Sequence, residues 1–322
     1  MSNHEIVSIF PIKNQELEAF YQKAINSFWV LEEIPFDTDK YDWDNKLDND
    51  ERFFISHIIA FFAQSDRIVN INLGTRFLAD IQTLPSDMKV YTELFYNFQI
   101  AVEDIHSRTY EFMLMTYIND DQNKLYNGIK NIPSIQLKAD WAFEWIDDYS
   151  SSFDTRLIAF AALEGIFFSG SFCAIYWIKE KNILKGLTGS NEFIARDEGL
   201  HRDFACALFR QLKQLGKITV SNEIIVSIIT DAVEIEKNFI INSLPCSLIK
   251  MNSKLMAEYI EFVADNLLET LEVEKYYNTK NPFSFMENLS LTAKANFFEN
   301  RESIYSRPII GNQQIDLDDL DF

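Results

Sequence analysis

The chain has 322 residues, 47% hydrophobic and 24% charged, with only 9 Gly and 7 Pro. It can bury a sizeable core and is too poor in Gly and Pro for a β-sandwich or a low-complexity chain. Its formal charge of −20, from 29 basic and 49 acidic residues, argues against nucleic acid or an anionic membrane as a direct partner.

Residues 1–12, with Pro11, read as an extended arm. They lack the basic start and continuous apolar run of a signal peptide. A first helix is predicted over residues 14–30, followed by a polar connection over 31–47 containing Pro35 and several Asp. A long helix follows over residues 49–78, and its centre, Phe53 to Ala63, is apolar nearly all round, as a buried helix must be. Asp66 lies just past that run. Its neighbours Gln64, Ser65 and Arg67 are polar, so it reads either as a solvent-facing acid or as a ligand.

After Pro85 a helix is predicted over residues 86–117, carrying Glu103, His106 and Tyr110. Tyr110 stands four residues beyond His106, one turn on along the same face. Shorter helices follow near 120–130 and 134–148, and the Trp141–Trp145 pair in the second reads as packing.

The next helix, over residues 154–181, contains one acid, Glu164, in an otherwise apolar run. A buried ionised carboxylate is costly unless it is paired or bound to a metal. Gly165 and Gly170 each weaken a helix by about 1 kcal/mol relative to Ala, which predicts a local distortion there. Phe168 and Phe172 share the face of Glu164. A helix over 187–214 carries Ile194, Asp197, Glu198 and His201, and others are predicted over 221–243, over 252–275 and just after Pro282.

From about Asn300 the composition changes, and residues 301–322 end Ile315-Asp-Leu-Asp-Asp-Leu-Asp-Phe322. Interleaved Asp and Leu cannot build a core alone, so the chain divides into a helical domain, 1–300, and a flexible acidic tail, 301–322. The tail is either plain disorder or a peptide that docks through its apolar side chains. Cys173, Cys206 and Cys246 have no metal-ligand spacing and read as reduced thiols of an intracellular, cytoplasmic protein. No run of about 20 uncharged apolar residues stands out, so no membrane span is expected.

Of the chain's 4 histidines, His106 and His201 have a Glu three residues earlier, Glu103 and Glu198. In a helix these positions sit about 5–6 Å apart on one face, close enough to bind one metal ion. Asp66 precedes the first Glu-x-x-His by 37 residues and Glu164 precedes the second by 34. A carboxylate on one helix and Glu-x-x-His on the next, used twice, is the ligand rhythm of a dinuclear carboxylate site in an all-α, ferritin-like bundle. Carboxylates with imidazoles suit iron or manganese.

Five stretches carry a more specific resemblance: FFAQSDRIVN from Phe61, FQIAVEDIHSRTY from Phe98, FAALEGIFFSGSF from Phe160, NEFIARDEGLHRDFA from Asn191 and NPFSFMENLSL from Asn281. They resemble the small, radical-generating subunit of class I ribonucleotide reductase, of the eukaryotic and large-virus type, and the similarity runs from about Phe10 to Tyr305. The resemblance implies a homodimeric ferritin-like bundle. In it two iron ions, with manganese as the alternative, react with O2 to form a tyrosyl radical. That radical passes to a large catalytic subunit that reduces ribonucleotides.

The resemblance also implies roles by position. Asp66, Glu103 and His106 would bind one metal, and Glu164, Glu198 and His201 the other. Tyr110 would hold the radical, inside an apolar pocket of Phe168, Phe172 and Ile194. Trp29, Asp197 and the tail residue Tyr305 would relay it outward, and Leu320-Asp321-Phe322 would dock on the large subunit. Ile71 departs from the Glu frequent in relatives, at a position that is not a ligand. The N-terminal extension of many eukaryotic members is missing, and Tyr110 disfavours the subclass with Phe there. Two other readings are a dinuclear oxidase or hydroxylase acting directly on a small substrate, and an iron store or inactive binding subunit.

Overall fold

In the computed structural model the described residues are 8–118, 133–243 and 245–286, and among them there is no strand. The chain divides into two units, Met1–Phe283 and Ser284–Phe322. Residues 284–286 of the second are helical. The tail, Tyr305, the expected helix near 120–130 and the expected division at residue 300 lie outside the described residues.

Local chemistry sets the helix starts. The Asn14 side chain caps α1 (Gln15–Asn26) by accepting from the Leu17 N–H. Asp48 and Glu51 form a reciprocal capping box at the start of α3 (Asn49–Asn72), satisfying two backbone donors that the first turn leaves unpaired. Pro85 precedes α4 (Ser86–Tyr117), as expected for a residue without an N–H to place. α5 spans Pro133–Asp147.

The next helical rod is interrupted: α6 (Phe153–Ala162), a π-helical segment (Leu163–Phe167) and α7 (Ser169–Lys179) follow one another. This is the distortion expected from Gly165 and Gly170. By length and hydropathy the rod Phe153–Lys179 could cross a membrane, although Arg156 and Glu164 interrupt it, so it is not the long uncharged run whose absence the sequence predicts. Its apolar window is wholly buried in the bundle, as in the core helix of a soluble protein. α8 (Lys185–Gln214), α9 (Asn222–Lys237) and α10 (Ser253–Thr270) complete the unit. α3 packs on α4, α4 on α1, α6 and α7 on α8, and α9 on α10. The three cysteines are free and buried.

Two stretches depart from expectation. The first helix, expected over 14–30, ends at Asn26 and leaves Trp29 in the connection that follows. The connection over 31–47 contains a helix, α2 (Asp39–Asn45). Asp39 and Asp42 serve distant backbone, whereas Asp44 faces solvent. The Asp39 carboxylate accepts from the N–H groups of Gly186 and Leu187, both at 2.9 Å, and from the Tyr117 hydroxyl at 2.7 Å. Asp42 accepts from the Leu184 N–H at 3.0 Å. These acids anchor the first turn of α8, whose positive end favours carboxylates.

Candidate metal centre

Four helical elements converge on one buried cluster. α3 contributes Asp66, α4 contributes Glu103 and His106, the π segment contributes Glu164, and α8 contributes Glu198 and His201. None of the six is more than 2% exposed. Asp66 is therefore not the solvent-facing acid its polar neighbours allowed. π segments recur at functional sites because the extra residue re-aims the side chains around it, and this one carries Glu164.

The potential ligand atoms fall into two groups, each within 4.8 Å: Asp66, Glu103 and His106, and Glu103, Glu164, Glu198 and His201. Glu103 belongs to both. His106 Nδ1 lies 3.0 Å from Glu198 Oε1 and 3.4 Å from Glu103 Oε2. His201 Nδ1 lies 2.9 Å from Glu103 Oε1 and 3.1 Å from Glu198 Oε2. Asp66 Oδ2, Glu103 Oε2 and Glu164 Oε2 are buried without a hydrogen-bond partner among the described residues. Orphaned carboxylate oxygens in a dry site are costly unless a cation takes them. The residues present thus fit a pair of hard, oxygen-preferring metal ions.

Without cations the cluster stores protons. Burial, and then the negative charge of Glu103, raises the Asp66 pKa well above the usual carboxylate range. Burial, with the charges of Glu198 and Glu103, does the same to Glu164. Burial opposes a charged His201, but Glu103 and Glu198 outweigh it and push its pKa up to about 9. Burial likewise opposes a charged His106, but hydrogen bonds with Asp197, Glu103 and Glu198 raise its pKa well above the ordinary value. Burial disfavours the Glu198 carboxylate, yet hydrogen bonds from the two histidines hold its pKa well below the usual range.

Tyr110 lies one turn beyond His106, 1% exposed, and its hydroxyl has no hydrogen-bond partner among the described residues. Burial, and then the charge of Asp66, keeps it protonated far above the ordinary phenol range. Its ring stacks on Phe62, centroids 4.7 Å apart, and Phe62 contacts Phe172 at 5.0 Å and Phe168 at 5.8 Å. Ile194 is buried on α8, three residues before Asp197. Phe62 is the wall residue that sequence reasoning missed, since within an apolar run nothing marks which Phe meets the tyrosine.

On the other side of His106, the Trp29 indole N–H donates to Asp197 Oδ2 at 2.8 Å, and that oxygen lies 3.2 Å from His106 Nε2. Trp29 also stacks over the His106 ring at 5.9 Å. Arg196 donates to Asp197 Oδ1 at 3.0 and 3.1 Å and to the Ser27 carbonyl at 2.7 Å, tying α8 to the segment that carries Trp29. Burial disfavours the Asp197 carboxylate, but the Arg196 charge and His106 hold its pKa below the ordinary value. Sequence reasoning also missed Gln99. Its buried amide donates to Glu164 Oε1 at 3.0 Å and Glu103 Oε1 at 3.3 Å, bridging the two carboxylates.

A family model described as ribonucleotide reductase, small chain, matches residues 6–282. The chain is 52% identical over 306 residues to the ribonucleoside-diphosphate reductase small chain of Neurospora crassa, covering 94% of this chain and 72% of that one. It is 50% identical over 317 residues to the small subunit from Dictyostelium discoideum, covering 97% and 90%. Among solved structures, the ribonucleotide reductase Rnr4 homodimer from Saccharomyces cerevisiae superposes with a TM-score of 0.77 at 38% identity, covering 94% of this chain and 90% of that one.

Proposed function

The chain belongs to the ribonucleotide reductase small-chain family, and on that premise we propose that its buried cluster holds two iron ions and arms Tyr110 as the radical-bearing side chain. It is an oxidoreductase subunit that acts with a large catalytic subunit in making deoxyribonucleotides, and the family implies a homodimer. The shared designation of its relatives does not favour a dinuclear oxidase acting directly on a small substrate.

Asp66, Glu103 and His106 would hold one ion and Glu164, Glu198 and His201 the other; Glu103 belongs to both ligand groups. Manganese suits the same donors. His106 turns Nδ1 to the carboxylates, because Asp197 occupies Nε2. Two bound ions would supply the chemistry that lets O2 oxidise Tyr110, the phenol giving up one electron and one proton to the O2 being reduced. Tyr110 stays neutral until then, because burial disfavours the phenolate. Phe62, Phe168, Phe172 and Ile194 keep water and reductants from its ring. Asp197 joins the Trp29 indole to the His106 imidazole, giving the oxidising equivalent a hydrogen-bonded way outward. Tyr305 continues that route in the tail, and residues 301–322, after a domain of 1–300, dock on the large subunit through Leu320 and Phe322. The three free, buried cysteines suit a reducing cytoplasm.

One observation carries the reading: two buried ligand groups share Glu103, and the Tyr110 hydroxyl, without a partner among the described residues, lies one turn past His106. The test is anaerobic Fe(II) loading, O2 addition and electron paramagnetic resonance. The wild-type chain should give a tyrosyl signal, and Tyr110→Phe should bind the same metal without it. An undiminished signal in the mutant would sink the assignment.

A further inference from the structure

Outside the ligand set the bundle holds a second buried charge pair, Lys138 on α5 and Glu236 on α9, 2% and 0% exposed. Taking both charges out of water is costly, and apolar replacements of such pairs are often neutral or stabilising. Stability alone is therefore a poor reason for it. Each partner also has a second bond, and both go to the same place. Lys138 Nζ donates to the Phe167 carbonyl at 2.8 Å, and Glu236 Oε1 accepts from the Gly170 N–H at 3.0 Å.

These two backbone groups flank Phe168, the junction between the π segment and α7. In an unbroken α-helix they would bond to groups four residues along the same rod. Here charged side chains from α5 and α9 hold the break from both sides. Gly170 makes this approach possible, because a Cβ there would lie 2.6 Å from Glu236 Oε1. The Lys138 ammonium also lies over the rings of Phe61, at 3.9 Å, and Phe239, at 3.8 Å. Phe61 in turn packs on Phe168 and Phe62, the latter stacked on Tyr110.

We propose that the Lys138–Glu236 pair is a positioning device that clamps the helix break around Phe168. The clamp keeps Glu164 aimed at the metal centre and Phe168, one turn later, aimed at the Tyr110 pocket. This rests on the function proposed above. Neither residue is a ligand or touches Tyr110; both act through backbone groups at residues 167 and 170.

The test uses the full chain and two variants. Lys138→Met/Glu236→Gln removes both charges and the donor to Phe167. Gly170→Ala leaves the charges but displaces the carboxylate, because its Cβ would meet Glu236 Oε1. Four quantities are measured against wild type: the apo unfolding midpoint, apo amide hydrogen exchange across residues 163–172, Mn(II) affinity, and the lifetime of the tyrosyl signal. The double variant should keep the midpoint. Exchange across 163–172 should quicken, and Mn(II) affinity and radical lifetime should each fall about tenfold, the scale on which groups behind the ligands tune a metal site. Gly170→Ala should show the same exchange and affinity changes, which keeps the test decisive if the double variant does not fold. Wild-type exchange, affinity and lifetime in a folded variant overturn the clamp. A wild-type chain without any tyrosyl signal overturns the function instead, and the exchange and Mn(II) measurements then still judge the clamp.

Discussion

Metal loading should expel protons, and their number follows from the cluster. At pH 7 the apo site holds His201, with its pKa near 9, and His106, with its pKa well above the ordinary value, in protonated form. A metal needs the neutral imidazole, so at least these two protons must leave. Asp66 and Glu164, both raised well above the usual carboxylate range, add whatever protons they still hold at that pH. By linkage, two protons released per loaded centre steepen apparent affinity by about 100-fold for each unit rise in pH near 7. The apo chain should show the matching sign. A histidine raised in the folded state stabilises fully below its unfolded pKa and loses that contribution as pH rises through the folded one. His201 alone then contributes roughly 3 kcal/mol below pH 6.5, lost by about pH 9. The raised Asp66 and Glu164 act in the same direction, since the folded chain again binds the extra protons. Titration calorimetry with Mn(II), in buffers of differing ionisation heat, counts the released protons. Release of fewer than one proton per centre at pH 7 would refute the reasoning, because the apo histidines would then be neutral.

Glu164→Ala and Asp66→Ala should each lower metal content by about one ion per chain by elemental analysis; full loading would contradict the ligand assignment. Deleting residues 316–322 should leave the metal site and radical intact but abolish co-sedimentation with the large subunit and reductase activity; normal turnover would reduce the tail to a passive terminus. Asp39→Ala should cost about 2–4 kcal/mol in urea unfolding, since two buried N–H groups at the start of α8 lose their acceptor. A loss below about 0.5 kcal/mol would mean that the end of α8 finds other partners.

Much of the site was legible because its chemistry is rare in the sequence. Four histidines make two Glu-x-x-His pairs conspicuous, and a lone acid in the apolar run around Glu164 has few innocent explanations. Helix α4 ran from Ser86 to Tyr117 as the Pro85 break and the apolar pattern required. What stayed hidden depends on contacts far apart in the chain. Asp39 and Asp42 look like acids of a polar connection, and only the fold reveals that they bind backbone near residue 186. Phe62 is one of 28 Phe, and its stacking on Tyr110 follows from how α3 meets α4. Lys138 and Glu236 look like ordinary surface charges on amphipathic helices, because nothing local shows that α5 and α9 turn them inward.

The bonds from α2 to the start of α8 also bear on the order in which the centre is assembled. Asp39 and Gly186 are 147 residues apart, so this contact closes a very long loop and must await the chain as far as the start of α8. Asp66, Glu103 and His106 lie on α3 and α4, neighbours in sequence and in space, and can come together while the chain is still emerging during synthesis. Glu198 and His201 depend on α8, which gains its anchor only at closure. Each half of the centre is nonetheless drawn from helices consecutive in the chain, Glu164 with Glu198 and His201 just as Asp66 with Glu103 and His106, and joining the two halves is the long-range step. Glu103, common to both groups, is the ligand at that junction.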